Sequence, residues 1–126
     1  MSTSEKNVRF YELLEVRLLS EFRKKFLLQP LNADLVDKTR LLFNEIITNI
    51  FSQSKYTLTP AAVTWISEQF LKTVKIDDVA LVNTLSEEQV KLSELSFDEI
   101  QLFKNLFDVT VLGPELRAEY QRRNLS

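Results

Sequence analysis

Apolar residues recur along the chain with the period of an α-helix. In the first quarter they fall on one face of a helical wheel, and the charged residues of that stretch fall mostly on the other face. The next stretch carries a wider apolar stripe over about five turns. We therefore predict two long helices, at about residues 4–27 and 32–53, followed by shorter ones.

Polar residues that can cap a helix mark where several of these helices begin. Each of four follows a leucine and precedes a valine or isoleucine by four positions: Asn32, Thr59, Ser86 and Ser96. A cap side chain accepts a hydrogen bond from the first turn, and the two flanking apolar residues pack on each other across the cap. Further starts are predicted at Ser4 and at Gly113, which precedes a proline.

The resulting fold class is all-α, an irregular bundle of five or six helices in a single domain that spans residues 1–126. No linker rich in glycine, serine or proline divides the chain. Residues 75–84 fit two interpretations, a short helix capped by Asp77 or an extended connector, because β-branched residues alternate there with helix formers.

Composition removes much familiar enzyme chemistry. The 126 residues include no cysteine, no histidine and one glycine. Thiol nucleophiles, thiolate metal sites, the commonest general base and glycine-rich phosphate loops are therefore excluded. We predict that the chain is not an enzyme and has no catalytic residues, no cofactor and no metal site.

The acidic residues offer one alternative to that prediction. Most paired acids, such as Asp98 and Glu99, stand in first helical turns, where negative charge complements the helix dipole. Glu15 instead falls within the apolar face of the first helix, where burial would raise its pKa and could make it an acid catalyst. An enzyme that uses carboxylates alone needs Glu15 beside a second acid in a pocket.

Charge is unevenly distributed although the net charge is only −2. Residues 5–27 carry two more bases than acids, whereas residues 77–108 carry six more acids than bases. This polarity could let the two regions attract each other, within one molecule or between copies. Two short basic runs beside aromatic residues indicate an alternative function, nucleic-acid binding. Its candidate residues are Arg23, Lys24, Lys25, Arg117, Arg122 and Arg123.

Protein binding is the function that the sequence favours. The only tryptophan, Trp65, falls almost opposite the apolar face of its helix, so the chain or a partner must cover it. Leu13 and Val16 on the first helix, and Leu102 and Leu106 on a later one, also lie outside the main apolar faces or widen them. These five residues are the predicted protein-interface candidates.

We therefore expect a non-enzymatic protein-interaction module, such as an adaptor, assembly factor, regulator or inhibitor. It would dock on itself or on a larger partner through amphipathic helix faces, and a small helical nucleic-acid-binding regulator is the alternative. No segment has the roughly 18 apolar residues that a membrane span needs, and the first residues are polar. We expect an intracellular, cytoplasmic protein with no membrane partner.

Overall fold

The computed structural model describes residues 3–54, 56–82 and 88–124 and confirms the all-α fold class. Its elements are α1 (Thr3–Phe26), α2 (Ala33–Ser52), α3 (Pro60–Leu71), β1 (Lys75–Ile76), β2 (Val79–Ala80), a 3-10 turn (Leu92–Glu94), α4 (Phe97–Phe107) and α5 (Gly113–Asn124). The two long helices begin and end within one residue of the predicted bounds.

Close backbone contacts divide the chain into two compact units. We call residues 17–90 the central unit, and residues 1–16 together with 91–126 the terminal unit. Helix α1 contributes residues to both units. The single-domain boundary of 1–126 stays a prediction.

Helix caps position the helices of the central unit as predicted. The Asn32 side chain accepts a hydrogen bond from the backbone N–H of Leu35 at 3.0 Å, and Thr59 accepts one from Ala62 at 3.3 Å. Helix α2 packs against α3. The aromatic and branched side chains between them are almost completely buried: Val36, Phe43, Ile47, Ile66 and Phe70.

Of residues 75–84, the first six form neither a helix nor a simple connector, Leu81 and Val82 are helical, and residues 83–84 lie outside the described residues. Strands β1 and β2 pair in antiparallel register, with Ile76 opposite Val79, and the two-residue turn consists of Asp77 and Asp78. Both turn residues have positive φ, 53° and 65°, as the tight turn of such a hairpin requires. The prediction that Asp77 caps a helix is wrong, because its backbone is left-handed.

The predicted helix start at Ser86 falls outside the described residues. The residues that would continue that helix, 88–90, are described and are not helical. The helix predicted over this stretch is therefore wrong for the part that can be compared. The spacing of Leu85, Ser86 and Val90 was therefore not sufficient to predict a helix at residues 88–90.

Aromatic contacts hold the terminal unit together. The ring of Phe107 on α4 lies 6.2 Å from that of Phe10 and 6.0 Å from that of Tyr11, both on α1. The Asn7 side chain donates to the backbone carbonyl of Asn105 at 2.6 Å. Helix α4 begins at the predicted cap, because Ser96 accepts from the Glu99 N–H and the Glu99 carboxylate accepts from the Ser96 N–H, each at 3.2 Å.

The only glycine permits a close backbone approach at the start of α5. A Cβ at Gly113 would lie 1.9 Å from the backbone oxygen of Asp108. Arg117 donates to that same oxygen and to the Asp108 carboxylate, each at 2.6 Å. The loop between α4 and α5 therefore passes so close to Gly113 that any larger residue there would force the neighbouring atoms to move.

Candidate interaction surfaces

Trp65 is not an exposed interface residue. Its side chain is 0% exposed, so the chain itself covers the indole, which corrects its assignment as an anchor for a partner. The physical reason is that α3 is buried on every side, including Ser67, Glu68 and Gln69. The polar residues beside Trp65 on the wheel therefore line the interior of the central unit instead of a solvated face.

An ion pair accounts for the buried charge on α3. Arg40 of α2 donates through Nε to Glu68 Oε1 at 2.6 Å, and a second guanidinium nitrogen contacts the same oxygen. Asp37 also contacts Arg40, at 3.1 Å, and its side chain is largely exposed. Sequence reasoning missed this pair because its members are 28 residues apart.

The other four interface candidates differ in exposure. Leu13 and Val16 are each 64% exposed and lie one turn apart on α1, within the terminal unit. Leu102 and Leu106 are half-buried on α4. The first pair is open to solvent, whereas the second pair is partly covered.

The end of α1 carries the three cations of the first predicted basic run. Arg23, Lys24 and Lys25 are all exposed. Lys24 contacts Glu21 at 3.5 Å, whereas Arg23 and Lys25 have no ion-pair partner in the described part of the chain. Cations in a last helical turn complement the helix dipole, so their position alone does not indicate a ligand.

Two leucines that the sequence analysis did not single out follow these cations. Leu27 is 66% exposed and Leu28 is 95% exposed. They lie in the turn after α1, where the Gln29 N–H donates to the Phe26 carbonyl. We call Arg23, Lys24, Lys25, Leu27 and Leu28 the basic surface. Two adjacent leucines directly after a basic helix end were the signal available in the sequence, and their exposure is visible only in the structure.

A cavity of about 430 Å³ adjoins the basic surface within the central unit. Leu19, Phe22 and Leu27 line it from the α1 side, and Val74 and Ile76 line it from the hairpin side. Its charged lining residues are Arg23, Lys75 and Asp77. The cavity combines apolar and charged lining residues and could receive an apolar side chain from another molecule.

The cations of the second basic run form contacts within their own unit. Arg122 and Arg123 both pair with Glu119, and Arg123 also donates to the backbone carbonyls of Leu92 and Ser93 at 3.2 and 3.0 Å. Hydrogen bonds from Arg122, above all, hold the pKa of the Glu119 carboxyl below its ordinary value. Arg117 is engaged with Asp108, as described above. These three arginines belong to a different unit from Arg23, Lys24 and Lys25.

Acidic and aromatic groups are exposed together around the start of α4. Phe97 is 40% exposed, and its ring stacks on that of Tyr120 with 5.4 Å between the centroids. Glu94 and Asp98 flank Phe97 in the sequence and are exposed, and neither forms an ion pair within the described ranges. We call Glu94, Phe97 and Asp98 the acidic surface.

Glu15 lies half-buried on α1. Burial raises the pKa of the neighbouring Tyr11, and the negative charge of Glu15 raises it further. Across residues 3–54, 56–82 and 88–124, no three acidic side chains are grouped closely enough to hold a metal ion. No helix in those ranges is both long and apolar enough to span a bilayer.

Comparison with known proteins adds no functional assignment. No family model matches the chain, and no curated protein or solved structure is significantly similar to it.

Proposed function

We propose that this protein is a non-enzymatic interaction module that docks on other protein surfaces through the basic surface at the end of α1. The observation that carries the proposal is the exposure of two adjacent leucines, Leu27 and Leu28, beside a partly apolar cavity. Single exposed apolar residues are common on protein surfaces, but an adjacent pair at a cavity supports a binding role.

A partner that covers Leu27 and Leu28 would remove their apolar area from water. Complete burial of a leucine side chain stabilises a complex by about 1.5–3 kcal/mol before the costs of association. Leu28 is 95% exposed, so nearly all of that stabilisation is available to a partner. The neighbouring cations add electrostatic steering, which raises the association rate more than the affinity.

The nucleic-acid alternative has weaker support. Three of its six candidate residues are Arg117, Arg122 and Arg123, which already contact carboxylates of their own unit. A phosphate would have to compete with those carboxylates. The remaining three cations stand beside exposed leucines, which favour a protein surface over a phosphate backbone.

The test compares a surface variant with a matched control. Leu27→Ser with Leu28→Ser removes the apolar part of the basic surface, and Leu41→Ser changes an equally exposed leucine on α2, 69% exposed. Tagged proteins capture partners from nuclease-treated extract of the source organism, and a captured protein is then purified for measurement of its dissociation constant. We expect the double change to weaken that binding at least about ten-fold and the control to leave it unchanged.

Two results would contradict the proposal. One is binding of the purified partner that is equal for the wild-type protein and the Leu27→Ser, Leu28→Ser variant. The other is retention by the wild-type protein of nucleic acid alone, with an affinity that falls steeply as salt is raised.

A further inference from the structure

We infer that the basic surface of one copy docks on the acidic surface of a second copy, so that this protein associates head to tail with itself. The inference rests on the proposed function and names its partner.

The basic surface has an apolar centre and cations that are available to a partner. Leu27 and Leu28 are exposed, and Arg23 and Lys25 have no ion-pair partner in the described ranges. Lys75, on the edge of the adjoining cavity, is likewise exposed and has no ion-pair partner there. Asp77 also lines this cavity, but the cations of the surface outnumber it.

The acidic surface has the complementary composition. Its centre is the exposed ring of Phe97, which Tyr120 supports from one side by stacking. The Glu94 carboxylate accepts a hydrogen bond from the Lys91 backbone N–H, and Asp98 lies in the first turn of α4. Lys104 Nζ lies 4.8 Å from the centroid of the Tyr120 ring, but the two carboxylates of the surface outnumber this cation. The cavity beside Leu27 has a mixed lining, whose apolar residues Leu19, Phe22 and Ile76 could contact an aromatic ring such as that of Phe97.

Charge complementarity decides between ways of pairing two copies. A symmetric contact of the basic surface with itself would bring Arg23 and Lys25 of both copies together and cost energy through repulsion. A contact between the basic surface of one copy and the acidic surface of the next places opposite charges around two apolar centres. Because such a contact joins different surfaces, a pair of copies keeps one free surface of each kind, and association continues beyond the dimer or closes into a ring.

The experiment reverses each surface separately and then combines the reversed proteins. One variant carries Arg23→Glu and Lys25→Glu, and the other carries Glu94→Lys and Asp98→Lys. Glu45→Lys, an exposed charge on α2, is the control. The average mass of each protein is measured by sedimentation equilibrium between about 10 µM and about 1 mM, the range of weak complexes.

We expect the mass of the wild-type protein to rise with concentration and to pass that of a dimer. Each reversed variant should associate at least about ten-fold more weakly, and an equimolar mixture of the two should associate again, because opposite charges meet once more. The Glu45→Lys control should behave as the wild-type protein does. Association should also weaken as salt rises from about 0.1 M to about 1 M, since screening lengths fall from about 10 Å to about 3 Å.

Thermal unfolding of every variant checks that the reversals leave the fold intact. If the loss of the Glu94 hydrogen bond lowers stability, two single variants replace the variant that carries Glu94→Lys and Asp98→Lys. Asp98→Lys then tests the acidic surface, and Leu28→Ser tests the basic surface. A wild-type protein that stays monomeric at about 1 mM overturns the inference, and so does association that both reversals leave unchanged or that the mixture does not restore. A monomer that still binds a partner through Leu27 and Leu28 overturns this inference alone and leaves the proposed function standing.

Discussion

The ion pair between Arg40 and Glu68 gives the sharpest test of how the central unit is stabilised. Arg40 is 5% exposed and Glu68 is 0% exposed, so both charges lie almost entirely out of water. Glu68 Oε2 is buried and has no hydrogen-bond partner within the described part of the chain. Removing Arg40 leaves the Glu68 charge buried without compensation, which costs about 3–5 kcal/mol in comparable pairs, whereas removing Glu68 leaves Arg40 in contact with Asp37.

We therefore expect Arg40→Met to lower the free energy of unfolding by about 3–5 kcal/mol, and Glu68→Leu to lower it by a smaller amount, because Arg40 keeps its contact with Asp37. The double variant replaces both charges by apolar side chains of similar volume and removes the unsatisfied oxygen. It should unfold at or above the wild-type denaturant concentration, because such replacements are often neutral or stabilising by about 1–4 kcal/mol.

Urea unfolding followed by circular dichroism measures all four proteins of this cycle. The exposed pair between Asp34 and Lys38, 3.0 Å apart, is the matched control, and its coupling energy should be only about 0.3–0.5 kcal/mol. A loss below about 1 kcal/mol in the Arg40→Met variant, or additive losses in the double variant, would refute the argument that burial governs this pair.

Three further predictions concern the hairpin, the glycine and the terminal unit. Gly113→Ala should destabilise the protein by about 1–3 kcal/mol in urea unfolding, because its Cβ would lie 1.9 Å from the Asp108 carbonyl oxygen; an unchanged midpoint contradicts this close approach. Asp78→Gly should raise stability by about 0.5 kcal/mol, since φ is 65° at this position and glycine adopts it without strain, whereas Asp78→Val should lower stability. Glu119→Gln should lower the unfolding midpoint at neutral pH. The pKa of Glu119 is lowered in the folded state, so its ionised carboxylate stabilises the protein above the ordinary pKa of glutamate. This stabilisation is lost as pH falls through the lowered pKa. A difference in unfolding midpoint between the two proteins that does not change with pH contradicts that role.

Local signals predicted the helices well. The caps at Asn32, Thr59 and Ser96 act within four residues of chain, so their chemistry is complete in the sequence. The hairpin was missed because its turn consists of two aspartates, whereas the usual signal is an asparagine or aspartate followed by glycine.

Contacts between distant parts of the chain determine the burial of the residues whose exposure was wrongly predicted. Trp65 was assigned to an exposed face because Glu68 and Gln69 are its neighbours on the wheel. Both are buried, Glu68 against Arg40 and Gln69 against Glu88, to which it donates at 2.7 Å. A helical wheel cannot register partners that come from distant parts of the chain, so it treats a polar interior face as a solvated one.

The basic surface was half predicted. Arg23, Lys24 and Lys25 could be found from composition, because cations at a helix end stand out in the sequence. The contribution of Leu27 and Leu28 depends on whether the fold covers them, and only the structure shows that it does not.

The burial of Trp65 gives this chain a natural optical reporter. The sequence holds one tryptophan, which lies in the central unit, and the terminal unit has none. Indole emission therefore follows the melting of residues 17–90 alone, whereas the amide absorption of helices follows both units. Overlaying the two signals along one denaturation curve distinguishes a chain that melts as a whole from one whose halves melt in succession.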